Sequence, residues 1–170
     1  MQKENAIHVI CGPVGSGKST FANELADRIN GVVFAIDEWM AELFQPDISE
    51  ETTVANMNPS WFAERVDRCE SMIYRVAEAV LRTGRPVVLD LGFIRRTRRE
   101  KAYEFAKRLD IRPALHYVTE SESVRRGRVE SRNLQKGSTY AFHVTPEMFA
   151  FAEQMFEPPA VDEIERFSEI

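Results

Sequence analysis

The chain has 170 residues, 44% of them hydrophobic and 29% charged, with a formal net charge of −5. That length suits one domain with a real core, and the acidic balance argues against a generally basic nucleic-acid surface, leaving at most a local groove for that role. No apolar run reaches the roughly 20 residues of a bilayer span, the start Met1–Asn5 is short and polar, and Cys11 and Cys69 sit in apolar contexts that suit buried thiols in a reducing compartment, so no membrane partner and a cytoplasmic location are expected.

In chain order, the first apolar run, residues 6–10, reads as a strand, and residues 18–30 read as a helix marked by Phe21, Ala22, Leu25, Ala26 and Ile29. Between them lies Gly12-Pro13-Val14-Gly15-Ser16-Gly17-Lys18-Ser19-Thr20, which fits G-x-x-x-x-G-K-[ST] in its strand–loop–helix context. The glycines let the backbone approach a ligand closely. Successive N–H groups then converge into an anion nest, reinforced by the positive end of the helix that follows. Lys18 is expected on the β- and γ-phosphates, Ser19 on Mg²⁺ and Thr20 near the α-phosphate. The motif predicts bound ATP with Mg²⁺, ATP and GTP being equally readable, and leaves the fate of the γ-phosphate open.

Residues 32–36 form a second strand that ends on Asp37, followed by a short helix at 38–44 and a polar, poorly patterned connection from Asp47 to Asn58. Ser60 is expected to cap a long helix whose apolar face is Phe62, Val66, Cys69, Ile73, Val76 and Val80 and whose stop is Gly84. A third strand at 86–90 ends on Asp90, and a fourth occupies 114–118. Helices follow at about 95–109, 121–134 and 145–156, the last broken by Pro158-Pro159, with a weak fifth strand near 162–167. Strands alternating with helices imply an α/β doubly wound sheet, in which ligands bind beyond the carboxyl ends of the strands.

That rule directs attention to Asp37 and Asp90. Asp37 would face the crevice shared with the phosphate loop, as a general base on a substrate hydroxyl, as a cap of the next helix, or as both. Asp90 completes Val87-Val88-Leu89-Asp90, the hhhD shape of a Walker B strand, and would touch metal or substrate. The next residue is Leu91 rather than an acid, which argues against water as the intended nucleophile. Arg125, Arg128 and Arg132 share one flank of the 121–134 helix and would neutralise charge on a transferred phosphoryl group. Arg95, Arg96 and Arg99 read as a solvated helix face. His8 and His116 read as strand residues, while Trp39, Met40, Phe44, Trp61 and Phe62 read chiefly as packing.

These parts together resemble the small P-loop kinases with an AAA-type domain label, a group that includes the phage polynucleotide kinase domain, chloramphenicol phosphotransferase and zeta-toxin kinases. The likeness rests on GPVGSGKST, Asp37, VVLDLGFIRRTRR, RRGRVESRN and the ending VTPEMF…FEPPAVDE. It implies one kinase-like domain over 1–170 in a three-layer P-loop NTPase fold, with a five-stranded parallel sheet ordered 2-3-1-4-5. It also implies a mobile lid at about 121–140, hinged near Gly137-Ser138. Asp37 then resembles the base, Arg128 and Arg132 (with Arg125 as alternative) the γ-phosphate clamp, and the segment containing Arg98 the acceptor region. The implied reaction is ATP-dependent transfer to a hydroxyl of a small molecule. A nucleotide-hydrolysing switch and a kinase for nucleic-acid 5′-hydroxyls are the alternatives, the latter weakened by Leu91-Gly92 where polynucleotide kinases carry a polar pair. Oligomeric state is left open.

Overall fold

A computed structural model describes residues 6–44, 47, 58–136 and 143–168. The phosphate loop joins β1 (Ile7–Cys11) to α1 (Lys18–Ile29); β2 (Val32–Ala35), α2 (Ile36–Phe44) and α3 (Pro59–Arg82) follow. The remainder is β3 (Val87–Asp90), α4 (Arg96–Arg108), β4 (Pro113–Tyr117), α5 (Glu122–Gln135), α6 (Pro146–Met155) and α7 (Val161–Ser168). The strands are parallel and ordered β2-β3-β1-β4.

Alternation along the strands builds the two core layers. Ile7, Val9, Cys11, Val87 and Leu89 face α3 and α4, meeting Cys69, Ile73, Ala77, Phe105 and Ala106. Ile10 and Val88 face the other way, onto Ala22, Leu25 and Ala26 of α1. The spacing of 3–4 residues on each helix, set against period 2 on each strand, is what makes both faces bury together. A smaller cluster of Val129, Val144 and Phe149, with Val14 against it, joins α5 and α6 to the phosphate loop.

Two expectations need correction. The long helix starts two residues earlier than expected: Asn58, not Ser60, caps α3, its Oδ1 accepting from the backbone N–H groups of Ser60 at 3.0 Å and Trp61 at 3.4 Å. Pro59 fills the first helical position, where a missing N–H costs nothing. The sheet has four strands among the described residues rather than five, and 162–167 lies within helix α7. A buried charge accompanies the helix. Arg99, fully buried at 0% exposure, donates from Nε and Nη2 to both oxygens of Glu163, at 2.7 and 3.0 Å. Glu163 also accepts from the N–H of Ala160 at 3.1 Å, half of a capping box. Glu163 and Phe167, four apart, are both buried while Glu165 between them is exposed, a helical spacing, since strand alternation would bury Glu165 on the same face. The polar connection from Asp47 to Asn58 and the Gly137-Ser138 hinge fall, apart from Asp47 and Asn58, outside the described residues.

Arg99, expected on a solvated face, is instead the polar centre of the α4–α7 junction, donating further to the carbonyls of Phe93 and Glu157. Glu163→Ala would leave that guanidinium buried without its counter-charge, at a cost of about 3–5 kcal/mol. The expected result is a Tm lower by about 10 °C or more in a thermal melt; an unchanged Tm would show that the pair carries no net stability. Burial pushes the Glu163 carboxyl up, but the Arg99 hydrogen bonds outweigh it and hold the carboxyl below its ordinary range. Its contribution is therefore full above the ordinary glutamate pKa and is lost as pH falls through the lowered value.

Candidate functional site

The phosphate loop is shaped by what crowds it. A Cβ on Gly12 would stand 2.0 Å from the carbonyl oxygen of Val118, and one on Gly15 2.6 Å from that of Arg125. Gly15 also has φ +75°, in the left-handed region. Backbone has replaced side chain at both points, letting β4 and α5 close against the loop. Gly12→Ala would force the loop off Val118, with a stability loss of roughly 3 kcal/mol and loss of nucleotide binding, both readable from melts with and without Mg-ATP. Gly17 occupies the N-cap of α1 in the left-handed conformation with no side-chain cap. The first-turn N–H groups are thus left for an anion. The Ser16 hydroxyl is buried in the loop without a hydrogen-bond partner among the described residues.

Strand register gathers the acids. Ala35 of β2 lies level with Asp90 of β3, and β3 is the direct neighbour of β1. Asp90 therefore stands between Asp37, two residues past Ala35, and the phosphate loop. Ser19 Oγ donates to Asp90 Oδ2 at 2.9 Å, so two hard oxygen donors already meet there. Lys18 Nζ folds back to the Pro13 carbonyl at 2.9 Å.

Electrostatics couple these groups. Enclosure by protein and then the neighbouring Asp90 push the Asp37 carboxyl above its usual range, while Lys18 and Arg132 oppose them. Asp37 is surrounded by protein yet exposed at its surface, so its desolvation is partial and the upward direction draws on Asp90 as well. Burial raises Asp90 too, against Lys18 and the Ser19 hydrogen bond. Lys18 is lowered by burial and by Arg132, with Asp90 and Asp37 pulling it back. Cys11, beneath the loop, is pushed up to about 11 by burial and stays a thiol.

The three arginines of α5 differ in their surroundings. Arg125 is buried, and four of the guanidinium's five donors are engaged: Nε to Glu120 O, Nη1 to Val14 O and Glu153 Oε1, Nη2 to Glu153 Oε2. It ties α5, α6 and the loop into one body. Arg128 donates to Ser16 O at 3.1 Å and stands 3.6 Å from Glu120, half exposed beside Gly17. Arg132 is felt by both Lys18 and Asp37, yet its Nε is buried without a hydrogen bond and no carboxylate lies within 4.0 Å among the described residues. Arg98 faces α3 instead, donating to Glu70 at 3.0 Å and Asp67 at 3.2 Å. Sequence reasoning missed the anchor Glu153, which lies 28 residues from Arg125 on another helix and carries no local signal.

The AAA domain family model matches residues 7–159. No curated protein matches the sequence. Among solved structures, a candidate kinase from Chloroflexus aurantiacus J-10-fl superposes with a TM-score of 0.67 at 17% identity, over 94% of this chain and 80% of that one. A gluconokinase from Sinorhizobium meliloti 1021 gives 0.52 at 18%, over 98% and 91%. A chain of the Pnkp1/Rnl/Hen1 RNA repair complex gives 0.59 at 16%, over 99% of this chain but 46% of that one. With the family match spanning most of its length, and with a phosphate loop and two strand-end acids where that fold places its ligands, this protein belongs to the AAA domain family and is a small P-loop kinase in fold.

Proposed function

We propose that this protein is an ATP-dependent phosphotransferase acting on a hydroxyl of a small molecule. The observation that carries the proposal is the cluster at the strand ends: a proton-acceptor carboxylate, Asp37, with a raised pKa beside Lys18 and Arg132, the latter with no carboxylate within 4.0 Å among the described residues. A carboxylate whose pKa is raised is a stronger general base once ionised. Asp37 takes the proton of the acceptor hydroxyl as that oxygen bonds to the γ-phosphorus; the bond from phosphorus to the β–γ bridging oxygen breaks, and ADP leaves. Lys18, the loop N–H groups and Arg132 offset the negative charge on the transferring group.

Ser19 and Asp90 are the residues that would hold Mg²⁺, their hard oxygen donors suiting that ion. When bound, the ion would supply charge neutralisation of the phosphates.

Two features favour a small hydroxyl acceptor over the alternatives. Leu91 follows Asp90 and is buried at 2% exposure, so no acid stands there to activate water. Most of the arginine-rich start of α4 is not a free basic groove: Arg96 pairs with Asp162 and Glu100, Arg98 with Glu70 and Asp67, and Arg99 with Glu163, leaving the exposed Arg95, which donates to Met155 Sδ, without a carboxylate among the described residues. Phosphate tracking by a nucleic-acid strand needs unpaired cations. The likeness to a gluconokinase across most of both chains agrees with this reading. The test is a panel of hydroxyl compounds and 5′-hydroxyl oligonucleotides with γ-labelled ATP, scored for transfer over hydrolysis. Transfer to a small molecule is expected; hydrolysis alone would refute the proposal.

A further inference from the structure

Buried guanidinium groups normally have counter-charges, because desolvating an unpaired charge is expensive. The arginines here follow that rule with a pattern to its exceptions. Of the buried and half-buried arginines other than Arg112, Arg96, Arg98, Arg99, Arg125 and Arg166 each pair with a carboxylate. Arg65 and Arg132 have no carboxylate within 4.0 Å among the described residues. These same two arginines each carry a buried Nε without a hydrogen-bond partner. Arg132 stands among Lys18 and Asp37, where the donor phosphates belong.

Arg65 lies in the second turn of α3. The α3 helix runs back from there to Arg82, and Arg85 beyond it donates to the carbonyls of Asn30 and Gly31, at the entry to β2. The N-terminal turns of α3 therefore overhang the opposite, carboxyl edge of the sheet, the side on which Asp37 and Asp90 lie. The guanidinium carbon Cζ lies over the Trp61 ring, 3.8 Å from its centroid, and 5.5 Å from that of Phe44, while Nη1 donates to Trp61 O at 3.2 Å. The Phe44 and Trp61 rings meet edge to face. Phe44 ends the helix whose first turn holds Asp37, about 10 Å along its axis from it. A planar cation fixed by two rings, with donors unengaged among the described residues, is suited to bidentate capture of a carboxylate or phosphate.

We infer that Arg65, braced by Trp61 and Phe44, is the specificity residue of the acceptor site, and that the acceptor is a small hydroxyl compound carrying a carboxylate or phosphate several bonds from the reacting hydroxyl. This rests on the kinase reading above and deepens it. Carboxylate and phosphate share the recognition chemistry; the experiment separates them.

The test compares matched acceptors with γ-labelled ATP: glycerate against glycerol, gluconate against sorbitol, ribose 5-phosphate against ribose, and a 5′-hydroxyl oligonucleotide. Transfer is expected to the acids or to the phosphorylated sugar and not to their uncharged partners. For whichever anion accepts, Arg65→Gln should raise the acceptor KM about 10- to 100-fold. It should leave kcat and the KM for ATP within about twofold, and Arg65→Lys should recover part of the loss. The unchanged KM for ATP excludes misfolding as the cause. Equal transfer to the uncharged partners, an unaltered acceptor KM in Arg65→Gln, or transfer to the oligonucleotide alone would overturn the inference while a kinase remains. ATP hydrolysis with no transfer to any compound would overturn the kinase reading and this inference with it.

Discussion

Asp37→Asn is expected to lower kcat for phosphoryl transfer by about 10²- to 10⁴-fold while changing ATP affinity less than about threefold. Asparagine keeps the shape and the helix-start position of Asp37 but cannot accept a proton. A variant that retains normal turnover would remove the base assignment. The raised pKa adds a second signature. Activity needs the ionised carboxylate, so the acid limb of the kcat–pH profile should lie above the ordinary aspartate range of about 4 and should vanish or move in the variant. The same shift has a stability consequence of opposite sense. A carboxylate whose folded-state pKa exceeds its unfolded value stabilises the fold only at low pH, and that contribution is lost as pH rises through the raised value. At neutral pH the ligand-free Asp37→Asn protein should therefore melt higher than the native one, the trade of stability for activity found at functional sites. A lower Tm at neutral pH would show that the attraction of Lys18 and Arg132 outweighs enclosure and Asp90.

Arg132→Ala is expected to reduce kcat by about 10³-fold or more, the scale of an arginine that meets the transferring phosphoryl group. Arg128→Ala should cost much less. Arg128 already donates to Ser16 O and stands near Glu120 at the surface, so its loss slackens the loop rather than exposing the phosphate. Arg132→Lys should rescue only part of the rate, because a point charge does not reproduce the planar fork. Since Arg132 holds the Asp37 carboxyl down, Arg132→Ala should also move the acid limb further upward. Single-turnover rates across pH for the two alanine variants would decide between these roles; equal losses would show that Arg132 is not distinguished from its neighbour.

Arg125 shows why a row of arginines is not a row of equivalents. All three positions share a flank of α5, and spacing alone reads them alike. The structure separates them by what each one meets: Glu153 for Arg125, a loop carbonyl for Arg128, and for Arg132 no counter-charge among the described residues. The expected lid is likewise divided. Its first turns are fastened to the phosphate loop through Gly15 and Arg125, and the Gly137-Ser138 segment lies outside the described residues.

What the sequence determined by itself is what depends on local chemistry. The phosphate loop is legible because glycine, lysine and serine act there through their immediate backbone, and the strands and most helices are legible because burial imposes period 2 or 3.6 on neighbours in the chain. Asp37 and Asp90 are legible because each closes an apolar run. Partnership at a distance was decided only by tertiary structure. Arg99 reads as solvated in the sequence, but Glu163, 64 residues on, lies against it, on a helix at 162–167 where a fifth strand is expected. The physical reason is common to these cases. A charge has no preferred partner along the sequence, and whether it is solvated, neutralised or left waiting for a ligand depends on which elements the fold brings within about 4 Å of it.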